Sequence, residues 1–217
     1  MSGKMINQSL LDPQSIVIFG GSNDIQKPGG KILKNIIDGD FQKDIYVVNQ
    51  KEALVQGLPC VSSVDELHEV DLAIISIPAR FCPQVVHTLA SKKKTRAFII
   101  LSAGFAEACE EGKAWEKEIT DTVYSVNGCQ IGPNCIGLLT ANYNGVFTSP
   151  TPPLDARGCD LISSSGATAV FLMEAGISLG IKFSSVFSVG NSAQVGVEDV
   201  LEYMDLNHDP ETDSTIK

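Results

Sequence analysis

Six short clusters in this 217-residue sequence carry the residue types that could hold an anion or approach a ligand closely. They are Gly20-Gly21-Ser22, Asn49-Gln50-Lys51, Pro78-Ala79-Arg80, Ser102-Ala103-Gly104, Gly132-Pro133-Asn134-Cys135 and Ser163-Ser164-Ser165-Gly166. Glycine admits close backbone approach, serine and asparagine donate and accept hydrogen bonds, and a lysine offers one mobile positive charge. The matching chemistry is phosphate capture by free N–H groups at a helix start, not bond breaking by a side chain. His68, His87 and His208 stand apart from one another and from any cysteine at ligand spacing, so the sequence nominates no metal site and no catalytic residue. Nor does Ser163-Ser164-Ser165-Gly166 fit the G-x-S-x-G nucleophile elbow.

Each cluster must be positioned by the element before it. Residues 16–20, Ile45–Val48, Leu72–Ile77, Ala97–Leu101, Cys129–Ile131, Cys159–Ile162 and Phe183–Val189 read as buried strands. Amphipathic stretches near 30–38, 81–92, 110–125, 167–179 and 197–204 read as the helices between them, the first burying Ile32, Leu33, Ile36 and Ile37. Strand–helix alternation predicts an α/β fold with a parallel sheet, and in such a sheet ligands lie outside the carboxyl ends of the strands. The clusters all fall at those ends. Residues 1–13 read as an irregular lead-in, Gln56-Gly57-Leu58-Pro59 as a turn, and Asp209–Asp213 as another. Ser63 and Glu66 have capping-box spacing, and Lys92-Lys93-Lys94 suits the C-terminal end of a helix. The proline-rich stretch 149–155 divides the chain into parts 1–148 and 149–217. The second holds two strands and two helices, too few for an independent doubly wound sheet. Either it packs tightly on the first part or the chain stops inside a domain.

Composition narrows the classes of function. Hydrophobic residues make up 43% and charged residues 19%, as in a folded globular chain. Sixteen basic against 26 acidic residues give a net charge of −10, which argues against nucleic acid or an anionic membrane as partner. With no apolar run of 18 residues and no cleavable leader, the expected location is cytoplasmic, and the six cysteines are expected to be reduced and mostly buried. A nicotinamide dinucleotide usually wants a carboxylate at the end of the second strand. Lys51 stands there instead and favours a phosphorylated ribose, as in coenzyme A or NADP. Plain surface charge is the competing reading of Lys51.

The clusters, in this order, resemble the N-terminal part of the NDP-forming acyl-CoA synthetases, which include the α subunit of succinyl-CoA synthetase. The similarity rests on Gly20-Gly21-Ser22, Val47–Lys51, Ile77–Cys82, Leu101–Phe105, Gly132–Gly137, Ser163–Ala167 and Ser188–Asn191. Gly-Pro-Asn-Cys-x-Gly together with Ser-Ala-Gly-Phe is its most specific signature. The resemblance implies a Rossmann-like CoA-binding domain and then the first, incomplete part of a flavodoxin-like domain. It implies a CoA cleft lined by Gly20, Gly21, Ser22, Asn49, Lys51, Pro78, Ala79, Ser102, Ala103, Gly104, Asn134 and Cys135, with Cys135 near the CoA thiol or simply a small buried residue. It further implies that Ser163, Ser165 and Gly166 face a phosphoryl group. ATP or ADP, with Mg, would enter only through an ATP-grasp partner, and the whole enzyme would be an oligomer interconverting acyl-CoA, ADP (or GDP) and phosphate with acid, CoA and ATP (or GTP). The phosphorylated histidine of the family lies further toward the C-terminus, so the expectation is that this chain lacks it and completes no cycle alone. Gln50, where the family usually has proline, and Ser164, where many members have glutamine or arginine, are departures. The alternative is a non-catalytic CoA-binding module, as in protein acetyltransferase fusions. An NADP-dependent oxidoreductase is disfavoured because no general acid stands near a hydride site.

Overall fold

The computed structural model describes residues 6–207. His208 and the turn expected at Asp209–Asp213 lie outside them. The first sheet comprises β1 (Ser15–Phe19), β2 (Asp44–Val48), β3 (Leu54–Val55), β4 (Leu58–Val61), β5 (Leu72–Ile75), β6 (Ala97–Ile100) and β7 (Cys129–Ile131). Its order is β3-β4-β2-β1-β5-β6-β7, parallel throughout except for the β3–β4 hairpin. Apart from Ser15 at the start of β1, β1 and β5 are buried runs of Val, Ile, Leu, Ala and Phe, as a sheet covered on both faces requires. The order reverses between β1 and β5, which opens a crevice at their carboxyl ends.

Three helices cover this sheet: α2 (Pro28–Asp38), α3 (Cys82–Lys92) and α4 (Glu110–Ser125), after a short α1 (Gln8–Leu11). Ile32, Leu33 and Ile36 of α2 are fully buried, whereas Ile37, expected on that face, is 38% exposed. At 100° per residue it turns past the edge of the apolar stripe. The capping box at Ser63 and Glu66 is present, on the single 3-10 turn Val64–Glu66. Lys92 pairs with Asp65 (3.1 Å) and Lys94 with Glu69 (2.6 Å) at the surface, so these lysines serve the neighbouring loop.

Three expectations need correction. The segment read as lead-in is docked within its described part: Leu10 is fully buried, and its carbonyl accepts from the Tyr143 hydroxyl at 2.8 Å. The turn at 56–59 is shorter than expected, because Gln56 and Gly57 with positive φ (50° and 85°) close the hairpin and leave Leu58 and Pro59 in β4. The second sheet also contains more strands than its sequence suggested. It is built from β10 (Leu154–Ser163), β11 (Phe183–Ser188) and a hairpin, β8 (Gly137–Leu139) and β9 (Asn144–Val146), in the order β10-β11-β8-β9.

The hairpin thus precedes the proline-rich stretch yet pairs with β11, which binds the second unit to the first. One hydrophobic cluster runs through both, from Ile16 and Ile32 to Leu138, Phe187 and Val200. Asn35 of α2 donates to the carbonyls of Val146 (2.6 Å) and Thr148 (2.9 Å). Helices α5 (Gly166–Leu179) and α6 (Val197–Leu206) complete the second unit, and α5 ends at Gly180 in the left-handed conformation (φ 74°).

Candidate functional site

The loop after β1 returns on itself before α2 begins. A β-carbon at Gly20 (φ 80°) would lie 2.2 Å from the Ser76 carbonyl oxygen, across the point where the strand order reverses. One at Gly29 would meet the Gly20 oxygen at 2.0 Å, and one at Gly30 the Asp24 oxygen at 2.1 Å. These glycines are therefore fixed by backbone crowding. What they leave at the surface is the loop 22–27 and the start of α2, which has no side-chain cap at Lys27 and Pro28 in its first turn. Pro28 has no amide hydrogen, and the amides of Gly30 (3.0 Å) and Lys31 (2.9 Å) both donate to the Lys27 carbonyl, which leaves Gly29 as the first-turn amide with no intrahelical acceptor.

Asn49 ties strand end to loop. Its Nδ2 donates to the Gly21 carbonyl (3.1 Å), and its Oδ1 accepts from the amides of Lys51 (2.8 Å) and Glu52 (3.1 Å). This turn presents the exposed Lys51 beside the loop. At the end of β5, Pro78 leads into Ala79, whose β-carbon would lie 3.6 Å from one added at Gly104 (φ 100°). The Ser102 hydroxyl donates to the Ile77 carbonyl at 2.5 Å, joining the ends of β5 and β6.

A cleft of about 510 Å³ lies where the two units meet, lined by Pro28, Ser76, Leu101, Ser102, Ala103, Asn134, Cys135, Ile136, Phe147, Ser164, Ser165, Gly166 and Ala167. The starts of α2 and α5 thus converge on one cavity, and both helix N-termini carry partial positive charge. Ser165 caps α5 by accepting from the Thr168 amide (3.2 Å), while the first-turn amides of Gly166 and Ala167 have no intrahelical acceptor. Ser163 does not line the cleft; its hydroxyl donates to the Ser165 carbonyl at 2.9 Å and shapes the turn. Of the residues nominated from the sequence, Ser102, Ala103, Asn134, Cys135, Ser165 and Gly166 come together here. Gly20, Gly21, Ser22, Asn49, Lys51, Pro78, Ala79 and Gly104 lie outside this lining, at neighbouring strand ends.

Cys135 is a wall and not a nucleophile. It is 3% exposed, its thiol donates to the Ile100 carbonyl at 3.3 Å, and burial pushes its pKa up to about 12. Cys82 and Cys129 are buried too, whereas Cys60 is half-buried and Cys109 and Cys159 are exposed; all six are free thiols.

Sequence reasoning missed the clamp that holds this wall. Asn191 Nδ2 donates to Glu107 (2.6 Å) and Glu116 (2.8 Å), and its Oδ1 accepts from Asn134 (3.3 Å). Glu107 also accepts from the amides of Gly104 (2.6 Å) and Phe105 (3.2 Å). Burial alone would raise the Glu107 pKa, but Asn191 and these amides outweigh it and hold the carboxyl below its usual range. Asn191 stood in a noted motif, yet nothing local linked it to an acid 84 residues away.

Two family models match the chain in succession. The family model described as "CoA binding domain" matches residues 14–141, more than half of the chain. The chain belongs to this CoA-binding family. A second model, "Succinyl-CoA ligase like flavodoxin domain", matches residues 156–216. Among the relatives of this CoA-binding chain is the α subunit of an ADP-forming acetate–CoA ligase (II) from Pyrococcus furiosus, 36% identical over 89% of the chain and 42% of the relative. An ADP-forming acetate–CoA ligase (I) from Archaeoglobus fulgidus is 34% identical over 91% of the chain and 28% of the relative. In structure the chain superposes on the acetyl-coenzyme A synthetase 1 of Ca. Korarchaeum cryptofilum, solved with phosphate and ADP, with a TM-score of 0.83 and 30% identity over 94% of this chain and 43% of that one. The CoA-binding chain thus spans less than half the length of each of these relatives.

Proposed function

We propose that this chain binds coenzyme A across the carboxyl ends of its parallel strands, as the CoA-binding portion of an ADP-forming acyl-CoA synthetase. The observation that carries the reading is the convergence of the α2 and α5 N-termini on one cleft, beside strand ends already crowded to backbone contact. CoA fits these residues: its phosphates need N–H donors and positive charge, and its pantetheine arm needs a narrow, mostly apolar channel. Gly20, Gly21, Ser22, Asn49 and Lys51 hold the nucleotide end, with Lys51 on the ribose phosphate. Pro78, Ala79, Ser102, Ala103 and Gly104 line the arm, while Asn134 and Cys135 border the thiol.

Ser163, Ser165 and Gly166 open α5 toward a phosphoryl group. When bound, CoA supplies the thiol that forms and leaves the thioester; this chain orients it and shields it from water. The CoA-binding part is assigned to residues 1–148 and the flavodoxin-like part to 149–217, the β8–β9 hairpin of the first completing the sheet of the second. The whole enzyme interconverts acyl-CoA, ADP and phosphate with acid, CoA and ATP, through a phosphohistidine and an ATP-grasp partner outside this chain. The reading includes an oligomer that works in the cytoplasm. Among the described residues no helix is long and apolar enough to cross a membrane. Calorimetry with CoA, NADH and NADPH tests the reading. Saturable binding of CoA alone is expected, and binding of a pyridine nucleotide without CoA would overturn it.

A further inference from the structure

We infer that Gln56 is a positioning residue for the nucleotide end of CoA, a strap that holds the loop after β1 from behind. The inference rests on the CoA-binding reading and deepens it. Gln56 Nε2 donates to the Ser22 carbonyl (2.8 Å) and to the Gly30 carbonyl (2.8 Å), so one amide group spans the loop from its entry to the first turn of α2. The Gln56 backbone amide donates to Asn23 Oδ1 at 2.7 Å, and Asn23 Nδ2 donates to the Leu54 carbonyl at 3.1 Å and to Glu52. The β3–β4 hairpin is thereby latched to the loop by four hydrogen bonds besides the Asn23–Glu52 contact.

Two further observations separate this role from ordinary turn structure. Gln56 has a φ of 50° in a two-residue hairpin turn, where glycine, asparagine and aspartate are favoured because they adopt the left-handed conformation at least cost. A glutamine at that position is accounted for by its reach into the loop, 26 and 34 residues away. The strap's side chain also engages only carbonyl oxygens, one at each end of the loop. Lys27 offers α2 no side-chain cap. Gln56 therefore fixes the loop without occupying an N–H group: those of Asp24, Gln26 and Lys27 are bonded within the loop and that of Gly30 to the Lys27 carbonyl, while the first turn of α2 keeps the Gly29 amide for an anion.

The variant that tests this is Gln56→Asn. Asparagine suits the left-handed turn better but is one methylene too short to reach both carbonyls, so turn stability and loop positioning change in opposite directions. The measurement is CoA affinity by calorimetry and melting temperature for the 217-residue chain and its Q56N and Q56G variants. The expected result is a loss of CoA affinity of about tenfold in both variants with the Q56N melting temperature unchanged or raised. Unchanged affinity in Q56N would overturn the inference, as would an affinity loss that appears only with a lowered melting temperature. Failure of the unsubstituted chain to bind CoA would instead overturn the reading beneath it, and the inference with it.

Discussion

Gly166 lies directly on Ile136: a β-carbon added at the first residue of α5 would come within 2.7 Å of Ile136 Cγ2. This contact brings the helix start of the second unit against the loop that ends β7, and the cleft runs along the seam. Gly166→Ala is therefore expected to destabilise the chain by about 1–3 kcal/mol, despite alanine's better helix propensity. Pairing it with Ile136→Ala, which removes the obstructing methyl, should recover part of the loss that each substitution causes singly. Chemical denaturation of the two single variants and the double variant checks this coupling.

Gly20 and Gly57 share a positive φ, 80° and 85°, but not their surroundings. A β-carbon at Gly20 runs into the Ser76 carbonyl, whereas nothing lies within 4 Å of Gly57. Gly20→Ala should cost several kcal/mol, on the order of 3–5, and yield little soluble protein, while Gly57→Asn should cost less than about 1 kcal/mol. Soluble yield and thermal melts distinguish the two.

Reactivity at the thiols should follow burial. With their pKa pushed to about 12, Cys82, Cys129 and Cys135 are expected to resist iodoacetamide at mildly alkaline pH. Cys109 and Cys159, both exposed, should label first. Peptide mass spectrometry after timed labelling reads the order, and Cys135→Ala is expected to keep CoA binding because the thiol does no chemistry.

The Asn191 clamp gives a pH dependence with a defined sign. The folded chain holds the Glu107 pKa below its ordinary value of 4.5, so the unfolded chain binds the proton more readily. The stabilisation is therefore present above that value and is lost as pH falls through the lower, folded one. Asn191→Ala should be less stable near neutrality and lose less on acidification. Melts between neutral and acidic pH should bring the two proteins closer together; parallel curves would contradict the clamp.

Lys51 is exposed beside the loop, so its interaction with a ribose phosphate should be modest and screened by salt. Lys51→Ala is expected to weaken CoA about fivefold at low salt and dephospho-CoA hardly at all. Calorimetry with both ligands at two salt concentrations separates a phosphate contact from plain surface charge.

The sheet was legible because its strands are continuous apolar runs ending in small residues, as at Ile16–Gly20 and Ala97–Ser102. The β8–β9 hairpin was not, because strands of three residues are too short to show a period, and Gly137 and Gly145 read as loop. Leu10 stands with Ile6 and Leu11 in a short stretch without a clear period, and the hydroxyl that holds its carbonyl belongs to Tyr143, 133 residues away. Three of the strand-end clusters, Ser102-Ala103-Gly104, Gly132-Pro133-Asn134-Cys135 and Ser163-Ser164-Ser165-Gly166, contribute residues to the cleft, and the others lie at neighbouring strand ends. The glycine spacing could not say whether Gly20, Gly29 and Gly30 made room for a ligand or for their own backbone, and the contacts show the backbone. Gln56 gave no local sign of its reach, and Asn191 none of its tie to Glu107.

A crystal structure of the chain with CoA tests the central claim most directly. The nucleotide is expected over Gly20–Ser22 with its ribose phosphate beside Lys51, and the thiol in the cleft between Asn134 and Gly166. CoA seated away from the carboxyl ends of β1 and β5, or with its thiol outside that cleft, would contradict it.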